Sequence, residues 1–121
     1  MMNDGIVRFV VSLAITPGKI DAFERTMKEM IAGTEGEAPT LEYDFYLSPD
    51  RTKCRLVEKY LDANAMLAHM TGPVVQVLVP KLLESCGLTG FDVYGEPGAK
   101  GREALATMGA QVFGYWKGLG R

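Results

Sequence analysis

Thr40-Leu-Glu-Tyr-Asp-Phe-Tyr-Leu-Ser-Pro-Asp-Arg-Thr-Lys-Cys-Arg-Leu-Val-Glu-Lys-Tyr-Leu-Asp-Ala-Asn-Ala-Met-Leu-Ala-His-Met70 reads as strand, tight turn, strand, then a helix folding back along the second strand. Ser48-Pro49-Asp50-Arg51 supplies the turn chemistry. With those four residues in the turn, Leu47 faces Thr52, Phe45 faces Cys54, Tyr43 faces Leu56 and Leu41 faces Glu58. On the other face Asp44 meets Arg55. That register gathers the apolar side chains on one side and sets an acid against a base on the other.

Glu58 falls on the apolar side, in the row Cys54, Leu56, Glu58, Tyr60. Asp62 suits the N-cap of the following helix. Seven helical residues from Asp62 climb about 10 Å to His69. Four strand residues in reverse reach Glu58 at about 13 Å. A helix packed antiparallel on the strand therefore puts Glu58 and His69 at similar height, with Tyr60 below them near Met66. The expectation is a polar cluster inside an apolar layer.

Outward from this stretch, Ile6 to Thr16 alternates as a strand whose Val7, Phe9, Val11, Leu13 and Ile15 form one apolar face. Thr16-Pro17-Gly18 reads as a helix entry, with Thr16 as N-cap and Pro17 first in the helix. Ile20, Phe23, Met27, Met30 and Ile31 recur at helical spacing, and the helix should end near Gly33. After the helix begun at Asp62, Val74 to Glu84 reads as helical and kinked at Pro80, whose missing N–H breaks the ladder. Leu88 to Glu96 is a strand and Glu96 to Gly101 a loop. Arg102 to Met108 is a short helix, and Gln111 to Lys117 a last strand carrying Phe113, Tyr115 and Trp116.

The order strand, helix, strand, strand, helix, strand makes an α+β, ferredoxin-like βαββαβ unit: one antiparallel sheet with two helices on one face. The core spans about residues 5–96, with a C-terminal helix and strand appended over 97–121, in a single domain. The open face, with Arg8, Val10, Ser12, Asp44, Tyr46, Arg55, Val57 and Tyr94, is too apolar in places to be left wet, so a homodimer closing sheet on sheet is expected.

Composition narrows the functions. The 121 residues are 47% hydrophobic with a net charge of -2 and no run of Lys or Arg, so nucleic acid and membrane surfaces have no electrostatic claim on the chain. Two cysteines and one histidine form no metal-ligand spacing, and a reduced, cytoplasmic protein without a metal site is expected. No basic leader and no apolar run long enough to span a bilayer is seen.

Four features resemble the antibiotic biosynthesis monooxygenase domain family, of the dimeric α+β barrel group. These are Thr16-Pro17-Gly18-Lys19, the segment Glu37 to Tyr43, the triplet Glu58-Lys59-Tyr60, and a helix from Asp62 carrying His69 two turns in. The resemblance implies a dimeric barrel and, in some members, cofactor-free oxygenation of quinols and polyphenols. Haem degradation also occurs in the family, but it needs an axial ligand, and the single histidine here lies where haem degraders carry a distorting aromatic. Ala38-Pro39-Thr40 replaces the family's Pro-Gly turn, and Tyr60 stands where Trp is common.

On this reading His69 is a general base removing a phenolic proton, Glu58 holds its imidazole, and Tyr43, Tyr60, Met66 and Trp116 contact a flat aromatic substrate, with no cofactor. Each residue has a plainer account. His69 at a stripe boundary can simply be satisfied by Glu58 or a backbone carbonyl, and Glu58 can close the layer. The aromatics and methionines serve equally as packing. The alternative is therefore a non-catalytic barrel that binds a small hydrophobic ligand. A cavity reaching His69 separates the two.

Overall fold

The computed structural model describes residues 5–120. In chain order the elements are β1 (Val7–Ile15), α1 (Ile20–Glu35), β2 (Thr40–Leu47), β3 (Lys53–Tyr60) and α2 (Ala63–Met70). A π-helical turn (Val74–Leu78) then leads into α3 (Val79–Leu82), followed by β4 (Cys86–Tyr94), α4 (Gly98–Ala106) and β5 (Gln111–Phe113). The sheet order is β2-β3-β1-β4-β5. Its first four strands are antiparallel throughout, and β5 joins β4 in parallel. The expected α+β, ferredoxin-like core with an appended helix and strand is what the chain forms.

The hairpin keeps the expected faces but shifts its pairing by two residues. Leu47 opposes Cys54, Phe45 opposes Leu56 and Tyr43 opposes Glu58. Asp50 is the reason. Its carboxylate accepts from the Ser48 hydroxyl at 2.8 Å, the Thr52 N–H at 3.1 Å and the Thr52 hydroxyl at 2.8 Å. Thr52 is thereby drawn into the loop, and the ladder closes at Ser48 and Lys53, with Ser48 N–H donating to the Lys53 carbonyl. A shift of two leaves every side chain on its own face. The expected Asp44–Arg55 pair is lost; Glu42 and Lys59 stand opposite instead, 3.9 Å apart.

Entry to α1 also differs. Thr16 to Lys19 is a turn, with the Lys19 N–H donating to the Thr16 carbonyl and Gly18 at φ 80°. Pro followed by a positive-φ Gly suits a type II turn, so neither Thr16 nor Pro17 lies in the helix. The helix runs past Gly33 to Glu35. Gly33 serves close packing: a Cβ there would sit 2.8 Å from Val74 Cγ2. The buried stripe is Phe23, Thr26, Met30 and Thr34, while Ile31 is exposed.

α2 begins as expected, with the Asp62 carboxylate accepting from the Ala65 N–H at 2.8 Å. Beyond it the backbone widens into the π turn rather than kinking as an α-helix. Pro80 has no N–H for the carbonyl four residues back, and the ladder before it is met by a longer span, Val79 N–H to the Val74 carbonyl. The helices cover one face of the sheet and bury Val7, Phe9, Val11, Leu13, Leu56, Phe91 and Val93. The two cysteines are buried free thiols in this layer.

The C-terminal strand is shorter than its aromatic pattern suggests. Phe113 ends it and stacks on Tyr94 at 5.6 Å, whereas Trp116 is 85% exposed. Gly95 makes this corner feasible. Its φ is +118°, and a Cβ would fall 2.6 Å from the Ile6 carbonyl oxygen. Backbone cannot yield there as a side chain would. We expect Gly95→Ala to cost about 3 kcal/mol or more and to lower the thermal midpoint by roughly 10 °C or more. A melting curve matching that of the wild type refutes the account.

Candidate functional site

Glu58 and His69 meet as the element lengths require. Both are buried, 5% and 3% exposed, and His69 Nε2 lies 3.9 Å from Glu58 Oε1. That separation is too long for a hydrogen bond. The ring is held from its other side. His69 Nδ1 lies 2.7 Å from Glu37 Oε1, on the connection between α1 and β2. The same oxygen accepts from the Thr40 hydroxyl at 3.0 Å. The expectation that Glu58 holds the imidazole is corrected: Glu37 does. With Nδ1 bound to a carboxylate, Nε2 is the nitrogen left to exchange protons.

Glu58 has a different partner. The Tyr60 hydroxyl donates to it. Burial pushes the Glu58 carboxyl up to about 7; the Tyr60 hydrogen bond works against that shift and the Glu37 charge adds to it. A carboxyl of this kind keeps its proton into the neutral range. Tyr43 and Tyr60 are both pushed above the ordinary phenol value, first by burial and then by the Glu58 charge. Their rings flank His69, with centroids 5.3 and 5.5 Å away.

A cavity of about 70 Å³ opens beside this cluster. Tyr43, Glu58 and His69 line it together with apolar side chains from β1, β3, β4, the helices and the turn after α4, among them Phe9, Leu56, Val75, Val79 and Met108. His69 therefore faces a hollow, which the purely structural account did not require. The remaining sequence candidates stand apart from it. Tyr60 touches the site through Glu58 rather than lining the cavity. Met66 is fully buried behind α2, where its Cε would lie 2.7 Å from a Cβ at Gly101 of α4. Trp116 sits on the exposed tail under Lys117, whose Nζ is 5.7 Å from the ring.

Sequence reasoning missed Glu37. It sits in a connection, where no period assigns a face, and 32 residues separate it from His69. The one signal was its place at the head of the Glu37-to-Tyr43 segment in the family resemblance.

The comparisons with known proteins agree with this architecture. MupZ from Pseudomonas fluorescens superposes with a TM-score of 0.81 at 22% identity, over 96% of this chain and 94% of that one. A conserved protein from Methanosarcina mazei Go1 gives 0.70 at 19% identity, over 75% and 92%. An antibiotic biosynthesis monooxygenase structure gives 0.64 at 20%, over 72% and 92%. The first of these spans the C-terminal extension as well as the core; the other two cover about three quarters of the chain. No curated protein matches the sequence. The family model described as antibiotic biosynthesis monooxygenase matches residues 6–81, well over half of the chain. The chain belongs to the antibiotic biosynthesis monooxygenase family.

Proposed function

We propose that the chain is a cofactor-independent monooxygenase converting a phenol or polyphenol that carries hydrogen para to a hydroxyl to a quinone. The observation that supports this most is the buried imidazole, anchored through Nδ1 by Glu37 and bordering an apolar cavity. His69 Nε2 takes the phenolic proton, and the electron-rich phenolate reduces oxygen by one electron. The radicals then couple, forming a carbon–oxygen bond para to the hydroxyl. Loss of the proton on that carbon breaks the O–O bond. One oxygen stays as the new carbonyl and the other leaves as water, so the substrate supplies all four electrons. Tyr43, which lines the cavity, holds the polar edge of the site, and Tyr60 acts on it through Glu58.

A cavity of about 70 Å³ is under half the roughly 150 Å³ that admits benzene. A flat guest therefore enters by displacing the outer wall of Val75, Val79 and Leu83, which the π turn and α3 supply. The same small volume is what favours the rival, a non-catalytic barrel holding a small hydrophobic molecule. As a further part of the proposal, the open sheet face pairs two copies into a homodimer. Tyr46, Tyr94 and Phe113 are 59, 40 and 42% exposed there.

The test uses labelled dioxygen and a dihydroxynaphthalene with its hydroxyls on different rings and hydrogen para to each, without added metal or flavin. One labelled atom in the naphthoquinone and one in water is the expected result. Oxygen uptake no faster than in buffer, or label found only in hydrogen peroxide, removes the proposal.

A further inference from the structure

Among the described residues lining the cavity, only Tyr43, Glu58 and His69 carry side-chain nitrogen or oxygen. His69 and Glu58 sit 3.9 Å apart without bonding each other, and each has its own anchor, Glu37 for the ring and Tyr60 for the carboxyl. Nothing in this pairing is specific to oxygen. It is a base and a carboxyl facing one apolar hollow.

We infer that the His69–Glu58 pair also isomerises enolisable cyclic ketones without oxygen, moving a proton between a ring carbon and the adjacent carbonyl oxygen. Nε2 removes the proton beside the carbonyl, and the C–H electron pair becomes the enol double bond. The carbonyl oxygen takes its proton from Glu58. Reversal returns a proton to carbon from His69 and leaves the enol proton on Glu58, with no net oxidation or reduction. Burial keeps the Glu58 proton in place into the neutral range, as the step requires. Glu37 stays on Nδ1 throughout, and the proton taken up by Nε2 exchanges with solvent once the ketone has left the cavity. The inference rests on the reading of His69 as a base and not on the oxygenation step.

The experiment follows deuterium uptake by tetralone, a bicyclic ketone, in D₂O under argon by NMR. Wild-type protein is expected to accelerate exchange beside the carbonyl at least about 10²-fold over buffer, and His69→Ala to abolish the acceleration. Glu58→Gln should lose at least about tenfold more of the exchange than of dihydroxynaphthalene oxygenation, because an acidic phenol needs the base alone. A Glu58 that merely shapes the site would lower both equally, and that result overturns the inference, as does wild-type exchange at the buffer rate. If the glutamine variant does not fold, Tyr60→Phe serves. Removing the hydroxyl that favours the ionised carboxylate should carry exchange to higher pH, and an unchanged pH profile overturns the inference. Exchange without oxygenation removes the oxygenase reading and leaves this one; oxygenation without exchange does the reverse.

Discussion

Replacing His69 with alanine is expected to lower oxygen uptake on a dihydroxynaphthalene by about 10²–10⁴-fold, the usual contribution of a placed general base. The fold should survive. Among the described residues the ring's hydrogen-bond partner is Glu37, which is partly exposed and keeps its bond from Thr40, so the variant strands no fully buried charge. The space left by the ring also joins the cavity, so added imidazole should restore part of the rate. An oxygen electrode and a melting curve decide the matter together. A variant that melts like the wild type and retains more than a tenth of the rate ends the catalytic role of His69. The same rate loss in a variant with a collapsed melting curve would speak only to folding, and imidazole rescue separates the cases.

The second large effect is on stability and comes from Glu58. Its carboxyl stands at about 7 in the fold against an ordinary 4.5, raised first by burial. The folded state therefore binds more protons than the unfolded chain between those values, and stability falls as pH rises through that window. Below 4.5 the contribution is complete, and above 7 it is gone. At 1.36 kcal/mol per pH unit the loss amounts to about 3 kcal/mol. Glu58→Gln replaces the titrating oxygen by an amide that can still accept from Tyr60, so the variant should hold nearly constant stability from pH 5 to pH 8. It should surpass the wild type at the upper end. Urea unfolding of both proteins at the two pH values is the measurement. Parallel losses in the two proteins would place the pH dependence elsewhere.

The two predictions concern neighbouring groups but separate readouts. His69 is tested through rate at a fixed pH, and Glu58 through stability without substrate. Failure of the first leaves a buried carboxyl with an unusual proton and a binding cavity, which is the non-catalytic barrel. Failure of the second weakens the acid role of Glu58 while leaving the base untouched.

What the sequence determined by itself is what short-range periodicity controls. Alternation in β1, β2 and β3 set which residues face the helices, and a two-residue shift in the hairpin could not alter that, because side chains repeat every second residue. The N-cap at Asp62 and the matched rise of strand and helix brought Glu58 and His69 to one height. Features set by packing across the chain were illegible. Gly33 looked like a helix stop because a glycine's local preference does not reveal that Val74 will press against it. The span before Pro80 became a π turn because the hydrogen-bond ladder closed over a longer loop. Trp116 fell outside the sheet because pairing ends at Phe113. Above all, Glu37 reached His69 from a connection with no period of its own. A contact across 32 residues is fixed by where α1 and β2 are held, and only the assembled layers decide that.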